Sequence, residues 1–100
     1  MRFEKIGTTK RQICEYDGRE HEVKLTDYLV RLSGDTYHNR QLIWKQNRLN
    51  SSREQFYYDD MDKAWYANIE SEDEINRLYK VFEGTGVKFS IKPIFRIMDL

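Results

Sequence analysis

Residues 71 to 92 constrain the fold more than any other stretch. Ser71-Glu72-Asp73-Glu74 has the pattern of a capping box, in which the Ser71 hydroxyl accepts from the Glu74 amide and the Glu74 carboxylate reaches back. Three acids in the first turn suit the positive end of a helix dipole. Ile75, Leu78, Tyr79 and Phe82 follow at i, i+3, i+4 and i+7, one face of an amphipathic helix, and Gly84 is a residue able to close it. Val87, Phe89 and Ile91 then alternate through a strand up to Pro93. Beyond it, Ile94 to Met98 either continue along a sheet edge or cover the core.

The preceding residues supply the rest of a sheet. Residues 1 to 25 read as a β-hairpin, with Asp17-Gly18 in the turn between residues 12–16 and 21–25. Of the two registers, a three-residue loop is preferred, because it pairs Ile13 with Val23 and Glu15 with His21 and avoids setting Glu15 against Glu20. Tyr28, Val30 and Leu32 alternate through a further strand over 27–33 that ends at Gly34. Asp35 or Thr36 then caps a helix over 37–49 carrying Leu42, Ile43, Trp44 and Leu49, although Leu42 and Trp44 would also share a strand face. After the turn Asn50-Ser51-Ser52, Phe56-Tyr57-Tyr58 and residues 64–69 form an aromatic hairpin around residues 59–63. The predicted class is α+β: an N-terminal β-hairpin, then a split βαββαβ layer, ferredoxin-like or HARP-like in order, with an antiparallel sheet and two helices. A chain of 100 residues suits one domain, divided as hairpin 1–25, core 27–92 and C-terminal edge segment 93–100. An open C-terminal edge of this kind is one that a second copy could pair with.

Leu, Ile, Val and Phe make up 24 of the 100 residues, above the roughly 20% below which chains stay disordered. Formal charge is zero, so no whole-molecule field draws the protein to DNA or acidic membranes, and any attraction must be local. The single cysteine, Cys14, excludes an internal disulfide and fits a reducing compartment. The first residues show no signal-peptide core and no stretch approaches the ~20 apolar residues of a membrane span, so a cytoplasmic protein that does not enter membranes is expected.

Catalytic and metal-binding patterns are not found. Cys14, His21 and His38 supply neither a CxxC pair nor an HxxxH spacing. The acids at 59, 60 and 62 lack the Gly and distal Glu of a calcium loop. Gly84-Thr85-Gly86 follows a helix, whereas phosphate cradles precede one. No third group accompanies Cys14 and His38 as nucleophile and base. The expectation is a domain that is not an enzyme and uses no cofactor or metal.

Charge, in contrast, is unevenly spread. Between Thr36 and Arg53 the only charged residues are Arg40, Lys45, Arg48 and Arg53, whereas residues 59–74 carry seven acids against Lys63. The basic segment also holds Tyr37, Trp44, Asn39, Gln41, Gln46, Asn47 and Asn50. Cations that hold phosphate beside planar groups that stack on or bond to bases make a candidate nucleic-acid surface. Its residues are Arg40, Lys45, Arg48, Arg53, Trp44 and Tyr37; the competing reading is a solvated helix face with Trp44 in the core. Four phosphate contacts imply a log-log salt slope of about −3 to −4, hence modest affinity. The alternative function is a phage or mobile-element module that binds or inhibits a basic host protein through Asp59, Asp60 and Asp62 and its exposed aromatics.

Within residues 27–92, Phe56-Tyr57-Tyr58-Asp59, then Trp65-Tyr66, the helix, and Gly86-Val87-Lys88-Phe89 resemble the HARP domains and related modules attached to annealing and repair helicases. Those modules show an aromatic-Asp, a turn, a Trp, a helix with paired leucines and a closing Gly-Val-x-Phe-like strand. Tyr58-Asp59 and Trp65 stand at the corresponding hairpin, and Leu78 on the matching helix. The usual Pro after the Trp strand is missing and a hairpin precedes the match. The resemblance implies recognition of forked or single-stranded DNA beside a helicase partner.

Overall fold

A computed structural model describes residues 3–5 and 11–98 of the chain, and the side chains of all of these but 3–5, 11, 12 and 16. Residues 1, 2, 6–10, 99 and 100, which belong to the predicted 1–25 hairpin and 93–100 segment, lie outside the described residues. The chain forms two units, one of Met1–Asp27 with Pro93–Leu100 and one of Tyr28–Lys92.

In the first unit, β1 (Phe3–Lys5) pairs antiparallel with β2 (Arg11–Tyr16), which pairs antiparallel with the start of β3 (Arg19–Gly34). The predicted hairpin is therefore a three-stranded meander. Its register differs from the three-residue loop expected from sequence: Cys14 faces His21 and Glu15 faces Glu20 across a two-residue loop. Asp17 and Gly18 both take positive φ, 55° and 74°, a turn whose twist matches that of the flanking strands. This register also sets the buried side chains of Cys14 and Val23 on one sheet face, while Glu15 and Glu20 remain exposed. The end of β6 (Val87–Ile97) returns antiparallel beside β3, with Met98 N donating to Glu22 O (2.9 Å) and Thr26 Oγ1 to Ile94 O (3.3 Å). Residues 94–97 thus continue the strand through Pro93, whose lack of an N–H suits an edge.

The predicted strands over 21–25 and 27–33 are one strand of 16 residues. No residue between them forces a positive φ, and the buried Asp27 side chain accepts from Thr26 Oγ1 (2.6 Å) without leaving the strand.

The second unit has the predicted order: β3, α1 (Arg40–Leu49), β4 (Tyr57–Asp59), β5 (Ala64–Ile69), α2 (Glu72–Phe82), β6. Its sheet runs β6-β3-β5-β4, the arrangement of split βαβ folds, and it is α+β with both helices on one face. Pairing of Val30 with Ala67 and Tyr28 with Ile69 fixes that face. There Val30, Leu32, Ala67 and Ile69 bury against Ile43 of α1 and Ile75, Leu78 and Phe82 of α2, with Phe56 closing the cluster. The alternate residues Leu29, Arg31, Tyr66 and Asn68 fall on the opposite face.

Two details of the helices depart from expectation. Asn39, not Asp35 or Thr36, occupies the N-cap of α1, and the helix starts at Arg40 rather than at 37. Asp35 instead accepts from the His38 amide (3.4 Å) and ring Nδ1 (2.9 Å), which fixes a turn ahead of the helix. In α2, Ser71 accepts from the Glu74 amide (3.4 Å) as predicted, but the Glu74 carboxylate is held by Arg77. Gly34, at φ 76°, ends β3 where a Cβ would lie 2.8 Å from Gly86 O, and Asp35 N donates to that same oxygen (3.1 Å).

Candidate nucleic-acid interface

Helix α1 has no acidic residue, and the core takes only one side of it. Ile43 and Gln46 are buried, with Leu42 and Asn47 half-buried beside them. At about 100° per residue, Arg40, Trp44 and Arg48 fall along one stripe that starts at half-buried Arg40 and reaches the exposed side at Trp44 and Arg48, with Lys45 about 60° beyond Arg48. The four-residue spacing that aligns them is what the sequence shows; the burial of Ile43 turns Trp44, Lys45 and Arg48 to solvent. Trp44 is 44% exposed, outside the core in which the competing reading placed it, and Leu49 is 64% exposed.

Tyr37 precedes the helix and is 69% exposed. The Arg40 guanidinium lies over its ring, 4.4 Å from the centroid, and Nη1 donates to Tyr37 O (2.8 Å), which fixes the side chain with most of its donors unused. Among the described residues, Arg40, Lys45, Arg48 and Arg53 form no ion pair. Arg53 stands apart from the helical stripe, in the exposed loop after α1 that Asn50 Nδ2 to Glu54 O (2.8 Å) folds back.

The amides predicted to accompany these cations mostly point elsewhere. Asn39 Nδ2 donates to Asp35 O (2.7 Å) and Thr85 O (3.0 Å), and buried Gln46 accepts from Arg77 Nη1 (2.8 Å). Asn47 binds the Phe56 backbone through both ends of its amide, and Asn50 Oδ1 accepts from Arg77 (3.2 Å). Only Gln41 remains exposed among the four amides of α1 and its N-cap. A polar residue in a helix that packs on a sheet serves buried backbone first, because leaving that backbone unpaired costs more than leaving a side chain in water.

The structure adds two residues that charge counting missed. Tyr58 and Trp65, paired across β4 and β5 with ring centroids 5.3 Å apart, join Thr36, Tyr37 and Arg40 around a hollow of about 250 Å³. Their aromatic-Asp and Trp positions were visible in the sequence, but their nearness to Tyr37 depends on where the hairpin packs. A second hollow, of about 410 Å³, lies past the C-terminal end of α1 and is lined by Glu54, Asp73 and Glu74 with Arg77. Its carboxylates bound the cationic surface at that end.

The acids of the β4–β5 hairpin are partly engaged. Asp59 Oδ1 accepts from the amides of Met61 (2.9 Å) and Asp62 (3.3 Å), shaping the turn. Asp62 pairs with Arg31 Nε (3.0 Å) and accepts from Tyr66, and those two bonds hold its carboxyl below the usual aspartate range. Asp60 is exposed. Among the described residues no group of three His, Cys, Asp or Glu is placed to hold a metal, and no helix is long and apolar enough to cross a membrane. Buried Cys14 has its Sγ directed at Glu15 O (3.7 Å), and His38 contacts Asp35.

Comparison with protein-family models, with curated proteins and with solved structures gave no match.

Proposed function

We propose that this chain is a non-enzymatic, cytoplasmic nucleic-acid-binding domain whose contact surface is the outer side of α1. One observation carries the reading: the side of α1 that the core leaves to solvent bears Lys45, Arg48 and Trp44, with half-buried Arg40 at its margin, and the helix has no carboxylate. Cations without a carboxylate partner are available to phosphate, and displacing counterions from phosphate supplies most of the affinity of such surfaces. The HARP-like positions Tyr58-Asp59 and Trp65 make forked DNA the first form to try, with a helicase as the protein beside which the domain would act. Docking of a basic protein on the acidic hairpin is the second reading. It is weaker because Asp59 shapes the turn and Asp62 is neutralised by Arg31, leaving Asp60.

The test is a titration of the intrinsic fluorescence of Trp44 and Trp65 with forked, single-stranded and duplex DNA at low salt, for the wild type and the double variant Lys45→Glu, Arg48→Glu. Binding at about 0.1 mM or tighter, weakened at least tenfold by the double reversal, is expected. Binding weaker than about millimolar, or unchanged by the reversal, removes the reading.

A further inference from the structure

We propose that the hollow formed by Thr36, Tyr37, Arg40, Tyr58 and Trp65 holds one unpaired nucleobase, so that the domain takes single-stranded nucleic acid in preference to duplex. This rests on the nucleic-acid reading above and specifies the form of its ligand. Three aromatic rings line it, Tyr58 and Trp65 in contact with each other and Tyr37 with the Arg40 guanidinium over its ring, together with Thr36, 8% exposed. A volume of about 250 Å³ falls short of the ~300–1,000 Å³ typical of sites for drug-sized molecules, and suits a single planar ring system.

The charge of the lining decides which planar ligand. Aromatic walls alone would also suit an ammonium group, but Arg40 in the lining repels cations and no carboxylate is present to attract them. A ligand with a flat apolar face joined to an anion satisfies both the rings and the guanidinium, and a nucleotide is such a ligand. Arg40 is also the first member of the Arg40, Trp44, Arg48 stripe, whose members are about 6 Å apart along the helix axis. A base seated beside Arg40 therefore leaves the adjoining phosphates at the start of a stripe that runs past Trp44 to Arg48. In a duplex the base faces are stacked on one another, so only an unpaired base presents a face to aromatic walls.

The experiment measures fluorescence anisotropy with three labelled probes of equal length: single-stranded oligothymidylate, an abasic strand with the same phosphates, and a blunt duplex. Wild-type protein is expected to bind oligothymidylate most tightly. Tyr58→Ala should lower that affinity by about 5- to 150-fold, the usual effect of one stacking ring, while leaving the duplex affinity unchanged, and Tyr58→Phe should retain it. Arg48→Glu, outside the hollow, should weaken all three probes alike. An abasic strand bound as tightly as oligothymidylate, or a Tyr58→Ala variant that weakens strand and duplex by the same factor, would overturn the proposal while leaving α1 as a phosphate-binding surface. Failure of all three probes to bind would overturn both.

Discussion

Asn47 supports the arrangement of α1 and the β4–β5 hairpin through one side chain. Its Oδ1 accepts from the Phe56 amide (2.6 Å) and its Nδ2 donates to the Phe56 carbonyl (3.1 Å), where the Phe56 residue is 3% exposed. Asn47→Ala removes both bonds and leaves a part-buried amide and carbonyl without these partners. Each bond is worth about 0.5–1.5 kcal/mol net, with a further penalty for an unsatisfied buried group, so a loss of about 2–3 kcal/mol is expected. Against the 5–15 kcal/mol that holds a domain together this is substantial, and at about 4–8 °C per kcal/mol it lowers Tm by about 10–20 °C. Urea and thermal unfolding followed by far-ultraviolet circular dichroism measure it, with the m value unchanged. Asn47→Asp keeps the acceptor for the Phe56 amide and should lose less than Asn47→Ala. A stability for Asn47→Ala within about 0.5 kcal/mol of wild type would refute the reasoning, since that is the effect of an uninvolved surface site.

Arg77→Ala should cost about 1–3 kcal/mol in urea unfolding, because Gln46 at 2% exposure loses its 2.8 Å donor; no change would contradict that role. Gly34→Ala should destabilise more than Gly18→Ala. Both glycines take positive φ, but an added Cβ at Gly34 meets Gly86 O at 2.8 Å and at Gly18 meets nothing within 4 Å, so equal losses on thermal unfolding would argue against that close approach. Asp62, whose folded pKa is depressed by Arg31 and then by Tyr66, contributes stability above the unfolded aspartate value near 3.9, and loses it as pH falls through the lower folded value. The stability difference between wild type and Asp62→Asn should therefore be full at neutral pH and shrink in acid; a difference that does not vary with pH would show that the Arg31 pair contributes nothing.

Elements whose signal lies within a few residues were readable from sequence. Ser71 at the cap, Ile75, Leu78 and Phe82 on one buried face, and alternation at Val87 and Phe89 appear as predicted, because capping and periodicity are local, whereas Tyr79 and Ile91, expected with them, are 51% and 47% exposed. Register across the first hairpin was not, because cross-strand charge matching is a weaker term than the backbone preference of Asp17-Gly18 for a two-residue turn. The junction at residues 25–27 was read as a break although β3 runs through it as one strand. For the candidate site, the i, i+4, i+8 spacing of Arg40, Trp44 and Arg48 was legible, but whether Trp44 faced core or solvent was set by the sheet that captures Ile43. The asparagines and glutamines could not be sorted in advance, since their partners, Phe56, Thr85 and Arg77, are distant in sequence. Likewise the meeting of Tyr58 and Trp65 with Tyr37 is a property of packing.

The account depends above all on α1 meeting phosphate through charge. Affinity for a single-stranded oligonucleotide, measured at several salt concentrations, tests that directly. The three cations of α1 at about 0.7 each predict a slope near −2 for log affinity against log salt, falling in magnitude by about 0.7 in Arg48→Ala. A slope near zero, or one that Arg48→Ala leaves as it was, would contradict it.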